Sequence, residues 1–163
     1  MARRHAQPTS PFRDLCLHFE AEPEAVRAAL GQVLLDLAPL GMSVDVTGTL
    51  ELILAEVLNN IVEHAYQWQG GAITLRLGAG DASLWCEVCD NGAPMPGGHL
   101  PVGAPATIDC RVDDLPEGGF GWYLIRSLAL DLIYQRDGDT NRLSFSLQRS
   151  APQVVARPAG RRH

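Results

Sequence analysis

The stretch Glu51 to Tyr66, ELILAEVLNNIVEHAY, constrains what this chain can fold into more than any other. At about 100° per residue, Leu50, Ile53, Leu54, Val57, Leu58, Ile61 and Ala65 fall on one arc, whereas Glu56, Asn60 and His64 recur every fourth residue along another side. A helix with such an apolar arc must lie on a second layer that buries it. The polar stripe needs a different account. Asparagine competes for backbone hydrogen bonds and is neutral to unfavourable inside a helix, so amides and carboxylates at mid-helix mark either a solvated face or a site.

The chain has 163 residues, the size of one ordinary domain, and can bury a core without disulfides or metals. All 13 of its basic side chains other than histidine are arginine, and the formal charge is -6. An acidic domain without a basic cluster before its tail argues against nucleic-acid binding through the phosphate backbone. The absence of lysine also excludes a Gly-Lys-Ser/Thr phosphate loop. Cys86 and Cys89 have the spacing of a metal-binding pair, but both fall in the alternating stretch Ser83 to Cys89, where residues three apart face opposite ways. Buried free thiols are the expectation. The first residues lack the apolar core of a signal peptide, and no apolar run approaches 18 residues, so a cytoplasmic protein away from any membrane is expected.

Residues 1–11 read as a flexible arm, residues 12–149 as the domain and residues 150–163 as a flexible tail. Phe12 to Phe19 alternates as a strand, and a helix runs from near Pro23 to about Leu37, ended by Pro39 and Gly41. Met42 to Thr49 reads as a linker, with Thr47 or Thr49 capping the organising helix. After the break at Gln67 to Gly71, Ala72 to Leu77 and Ser83 to Cys89 form a hairpin. A Gly- and Pro-rich connection then covers about residues 93–118, long enough inside a compact domain to suggest a lid. Helical recurrence from Gly121 to Leu132 follows, then strands Leu132 to Gln135 and Leu143 to Gln148 around the turn Asp137 to Asp139. The expected fold is a two-layer α/β sandwich, a mainly antiparallel sheet with helices on one face.

Three motifs stand in order along this chain: Glu56 and Asn60 four apart on a helix, Asp90-Asn91-Gly92 after a strand, and Glu117-Gly118-Gly119-Phe120-Gly121 before a helix. With these the chain resembles the GHKL ATPases, and within them the small anti-sigma regulatory serine kinases, over roughly Phe12 to Leu147. The resemblance implies the same sandwich fold, with ATP and Mg2+ as ligands. Asn60 would ligate the magnesium, and Glu56 would be the catalytic base or orient the nucleophile. Asp90 would accept from the adenine amino group, and Gly92 would let the base approach the backbone. The third position of that second motif departs from the family's glycine, being Pro94. Gly119 and Gly121 would bring phosphates to a helix N-terminus, where orphan amides and the helix dipole favour anions. Arg126 would support a phosphate or pair with a carboxylate, and Thr140 resembles the family's late hydroxyl near the phosphates.

The activity so implied is an ATP-dependent serine/threonine kinase that binds a sigma factor and phosphorylates an anti-anti-sigma (STAS) antagonist. A homodimer through the first strand and helix Pro23 to Leu37 is also implied. One alternative is a non-catalytic nucleotide-binding module that switches partners. Another, ranked lower, is a histidine-kinase catalytic domain, which would need a phosphoacceptor helix pair absent from the sequence pattern.

Overall fold

The computed structural model describes residues 14–103 and 119–149. The expected arm and tail, and most of the expected lid, lie outside the described residues. Five strands form one antiparallel sheet: β1 (Leu15–Glu20), β2 (Ala72–Ala79), β3 (Ser83–Asp90), β4 (Leu130–Asp137) and β5 (Thr140–Gln148), in the order β1-β2-β3-β5-β4. Three helices, α1 (Pro23–Leu37), α2 (Val44–Asn60) and α3 (Gly119–Leu128), complete the two-layer α/β sandwich.

Period-two alternation decides which sheet face carries the helices. Ile73, Leu75 and Leu77 of β2, Leu84, Cys86 and Val88 of β3, and Leu143, Phe145 and Leu147 of β5 are all buried in one core with Leu50, Ile53, Leu54, Val57 and Leu58 of α2. Each fully buried aliphatic chain contributes on the order of 1.5–3 kcal/mol. The opposite sheet face is polar: Glu87 accepts from Arg76 at 3.1 Å and from Arg142 at 2.7 Å across neighbouring strands. Cys86 and Cys89 point to opposite faces of β3, Cys86 buried as expected and Cys89 only half-buried; Cys16 on the edge strand β1 is exposed. Among the described residues no His, Cys, Asp or Glu cluster could hold a metal ion. No helix there is long and apolar enough to cross a membrane.

Helix α1 has the bounds expected from its periodicity, with Pro23 in its first turn. Helix α2 begins well before Thr47. Ser43 is its N-cap, extended in backbone and accepting from the Val46 amide at 3.3 Å, and Asp45 sits in the first turn. Thr47 and Thr49 are inside the helix, their hydroxyls bonded back to the carbonyls of Ser43, Val44 and Asp45. The apparent linker is therefore the first turn of α2, because a threonine can satisfy its hydroxyl within a helix and so need not mark its end. At the far end the α-helix becomes one π-helical turn, Ile61–Ala65, with the Tyr66 amide bonded to the Ile61 carbonyl at 3.0 Å.

Helix α3 stops at Leu128, and Leu132 belongs to β4 rather than to the helix. The pattern misleads there because β4 is an edge strand with an irregular pairing between Leu130 and Ile133 and positive φ at Asp131. Its inward alternation is thereby broken. The two-residue turn between Asp137 and Thr140 places Gly138 at φ 57°, a conformation in which a side chain would be strained.

Ser43→Ala is expected to cost about 1 kcal/mol of stability by loss of the cap. Thr47→Ala is expected to change it by less than about 0.5 kcal/mol. Urea unfolding of the two variants separates the observed cap from the alternative.

Candidate functional site

Where the π-turn ends α2, the helical layer and the sheet separate and leave a cavity of about 660 Å3. Asn60, His64, Asp90, Pro94, Trp122 and Asn141 are among its lining residues. Tyr66 holds the adjoining backbone together, donating from its hydroxyl to the Ala72 carbonyl at 2.7 Å and accepting from the Asn91 amide at 2.9 Å.

Asp90, the last residue of β3, is in phase with Leu84, Cys86 and Val88 and so turns its carboxylate toward the helical layer, where it is only 6% exposed. Its Oδ1 accepts from the Asn141 amide nitrogen at 2.8 Å and from the Gly92 amide at 2.9 Å. Burial pushes the Asp90 carboxyl above the usual aspartate range, opposed by those two hydrogen bonds and by the Arg136 guanidinium. The position of Gly92 is set by packing: a β-carbon there would lie 2.7 Å from both the β-carbon and the carbonyl oxygen of Ala65. That approach lets the Ala93 amide donate to Ala65 at 2.8 Å, sealing the end of β3 against the π-turn. Pro94 supplies a wall of the cavity together with Ala93, Met95 and Pro101.

Asn60 lies on the opposite wall, and its amide nitrogen is buried without a hydrogen-bond partner. A buried donor left unpaired costs about 1–3 kcal/mol, so such a group in a lined cavity calls for an explanation. Asn59 beside it is exposed and does not line the cavity. One turn back, Glu56 reaches the start of α3. A β-carbon at Gly121 would overlap its carboxylate oxygen, so the glycine makes room for the acid at the positive end of the helix. Gly119 opens the same helix.

The structure thus gathers Asn60 and Asp90 on one cavity, Gly92 beneath it, and Glu56 with Gly119 and Gly121 at the end of α3. Arg126 and Thr140 are engaged elsewhere. The Arg126 guanidinium donates through Nε to the Pro101 carbonyl at 2.6 Å and through Nη2 to Leu100 at 3.0 Å, tying the segment before residue 104 to α3. Thr140 Oγ1 accepts from the Asn91 side chain at 3.0 Å. The sequence reading does not include Asn141, Tyr134 or Arg136, which surround Asp90. Asn141 had a legible signal: in TNRLSFSL it shares the inward phase of Leu143, Phe145 and Leu147, and an amide in the core phase of a strand demands partners.

Asp90→Asn preserves the shape and both donors to Oδ1 while removing a desolvated charge. Because the folded carboxyl titrates above its unfolded value, its contribution to stability is complete below the ordinary aspartate pKa and is lost as pH rises through the raised one. The variant is therefore expected to be more stable than the native protein at neutral pH. That gap should open between those two pKa values and stay level above them, as read by thermal unfolding across pH.

The family described as histidine kinase-like ATPase domain matches residues 19–147. A serine-protein kinase RsbW of Bacillus cereus is 34% identical over 122 residues, 73% of this chain and 76% of that protein. The protein of the same name from Bacillus mycoides matches with the same identity and coverage. A solved structure, the RsbU and RsbW domains of a Mycobacterium tuberculosis protein, aligns over 88% of this chain with a TM-score of 0.61 at 18% identity. This chain covers 34% of that longer one, and the likeness at such identity concerns the fold.

Proposed function

Because this chain belongs to the histidine kinase-like ATPase domain family, we propose that it is an ATP-dependent serine/threonine protein kinase of the anti-sigma regulatory type. Its partners in this reading are a sigma factor, which it binds, and an anti-anti-sigma (STAS) protein, which it phosphorylates. Relatives that share 34% identity and carry the name serine-protein kinase support the activity. The observation that carries the reading is the orphaned Asn60 amide on a cavity whose other wall holds the buried acceptor Asp90, with Glu56 one turn away at the start of α3.

Each residue has a physical task in this reading. Asp90 accepts from an amino group of the base, and the apolar wall of Ala93, Pro94 and Met95 takes the face of its ring. The N-terminus of α3, with Gly119 and Gly121, offers backbone donors to the phosphates. Asn60 would hold magnesium through its amide oxygen, a suitable hard ligand, while its unpartnered amide nitrogen would donate to a phosphate oxygen; the ion, when bound, would neutralise charge on the phosphates. In the transfer, a serine or threonine hydroxyl oxygen bonds to the γ-phosphorus as the bond from that phosphorus to the β,γ-bridging oxygen breaks. ADP departs, and the hydroxyl proton passes to the Glu56 carboxylate. A lid over residues 93–118 would exclude water from this reaction. Arg126 would hold its first part, through Leu100 and Pro101, with Thr140 and Asn91 bracing the loop beside the base.

Radiolabelled ATP, the full chain and a STAS protein test the proposal together. Label is expected on a serine or threonine of the STAS protein. Glu56→Gln should lower transfer about 100- to 10,000-fold with ATP binding retained. Asn60→Ala should lose the magnesium-dependent part of the affinity. Nucleotide binding without transfer would make the chain a non-catalytic partner-switching module, and absence of binding at millimolar Mg-ATP would overturn the proposal.

A further inference from the structure

Around Asp90 the hydrogen bonds have a sense that cannot be reversed. Asn141 is 4% exposed on β5, and its amide nitrogen donates to Asp90 Oδ1 at 2.8 Å, to the Ala93 carbonyl at 3.0 Å and to the Gly92 carbonyl at 3.3 Å. Its amide oxygen accepts from the Arg136 guanidinium at 2.7 Å and from the Tyr134 hydroxyl at 2.7 Å. Tyr134 in turn accepts from the Met95 amide at 3.0 Å. Arginine and a backbone N–H can only donate, and backbone carbonyls can only accept. Turning the Asn141 amide over would therefore set its nitrogen against a guanidinium and its oxygen against two carbonyls and a carboxylate. Arg136 and the carbonyls of Gly92 and Ala93 thus dictate which end of Asn141 meets Asp90. With Asn141 and Gly92 both donating to Oδ1, that oxygen is occupied, and Oδ2 is left as the acceptor for a ligand in the cavity.

We infer that Asn141, oriented by Arg136 and Tyr134, is a positioning residue that sets base selectivity by holding Asp90 with Oδ2 toward a nucleotide base bearing an exocyclic amino group. The inference rests on the ATP reading above. It adds that selectivity depends on an asparagine in β5 and on two side chains of the edge strand β4, one of which also holds the backbone at Met95. The chemical class selected is a purine with an amino group where guanine has a carbonyl, since an acceptor facing that carbonyl would leave two oxygens opposed without a proton.

The test compares two nucleotides on the full chain: ATP, and purine riboside triphosphate, which lacks the amino group. The native protein is expected to prefer ATP at least about tenfold, the scale of a hydrogen bond to a charged group. In Asn141→Ala the affinity for ATP should fall about 10- to 100-fold while that for the amine-free nucleotide changes less than about threefold, so the preference collapses. Arg136→Met, whose side chain lies on the edge strand and is partly exposed, should reduce the preference in the same direction by about threefold or more. It decides the matter if Asn141→Ala is unfolded by circular dichroism. A purely structural role would weaken both nucleotides equally and leave the preference intact, and that result overturns the inference while leaving the ATP reading standing. Native protein that binds neither nucleotide overturns both, and native protein that binds the two equally overturns the selectivity claim alone.

Discussion

The burial of one helix against one face of the sheet is the interaction on which the rest of this structure depends. Leu50, Ile53, Leu54, Val57 and Leu58 of α2 are all within 1% of complete burial, against β-strand side chains that are equally inaccessible. The described layers cover only one face of the sheet, so α2 supplies much of what hides Ile73, Leu75, Leu84 and Phe145 from water. Its polar stripe then has a determined place. Rotation about the helix axis would expose several leucines, so Glu56 and Asn60 are held where the apolar contact ends.

The site follows from how that packing terminates. A continuous α-helix would carry residues 61–65 onward along the sheet, but one π-turn widens the helix and brings Ala65 against Gly92. Only glycine fits at that approach, since any β-carbon would meet Ala65 at 2.7 Å. Tyr66 closes the same junction from the other side by bridging the backbones of Ala72 and Asn91. Helix end, strand end and loop are therefore one rigid corner. The cavity is what remains between this corner and α3.

Polar groups at the corner are satisfied with one exception. Asp90 is buried, yet its carboxyl is held by two donors and a neighbouring guanidinium, the arrangement that makes a desolvated carboxyl group tolerable. Asn60 has no such partner for its nitrogen. The contrast assigns different origins to the two residues' costs. The donors that hold Asp90 lie inside the fold, whereas the unpaired nitrogen of Asn60 carries a cost of about 1–3 kcal/mol that no described side chain or backbone group offsets. The first residues of the long connection share in this economy of contacts: Met95 is bound to Tyr134 and Leu100 and Pro101 to Arg126, so both walls of the cavity mouth are tied to regular structure.

Period and spacing in the sequence were enough to determine the sandwich, the bounds of α1, the hairpin of β2 and β3, the apolar arc of α2 and the three separated motifs, because each depends on residues near one another along the chain. They also determined that Cys86 and Cys89 face apart. The start of α2 was not legible, since Ser43, Thr47 and Thr49 are all competent caps and only the backbone chooses among them. Nor was the end of α3, because the irregular edge pairing of β4 erases the alternation that would have separated strand from helix at Leu132. Tertiary structure alone decided the partners of Asp90. Asn141 lies 51 residues away, and the strand order that places β5 between β3 and β4 brings it, with Arg136 and Tyr134, around a carboxylate that local sequence shows only as the start of a turn. It also decided that Arg126 grips the chain at Leu100 and Pro101, since the reach of a long side chain depends on what packs beside its helix, which no local pattern records.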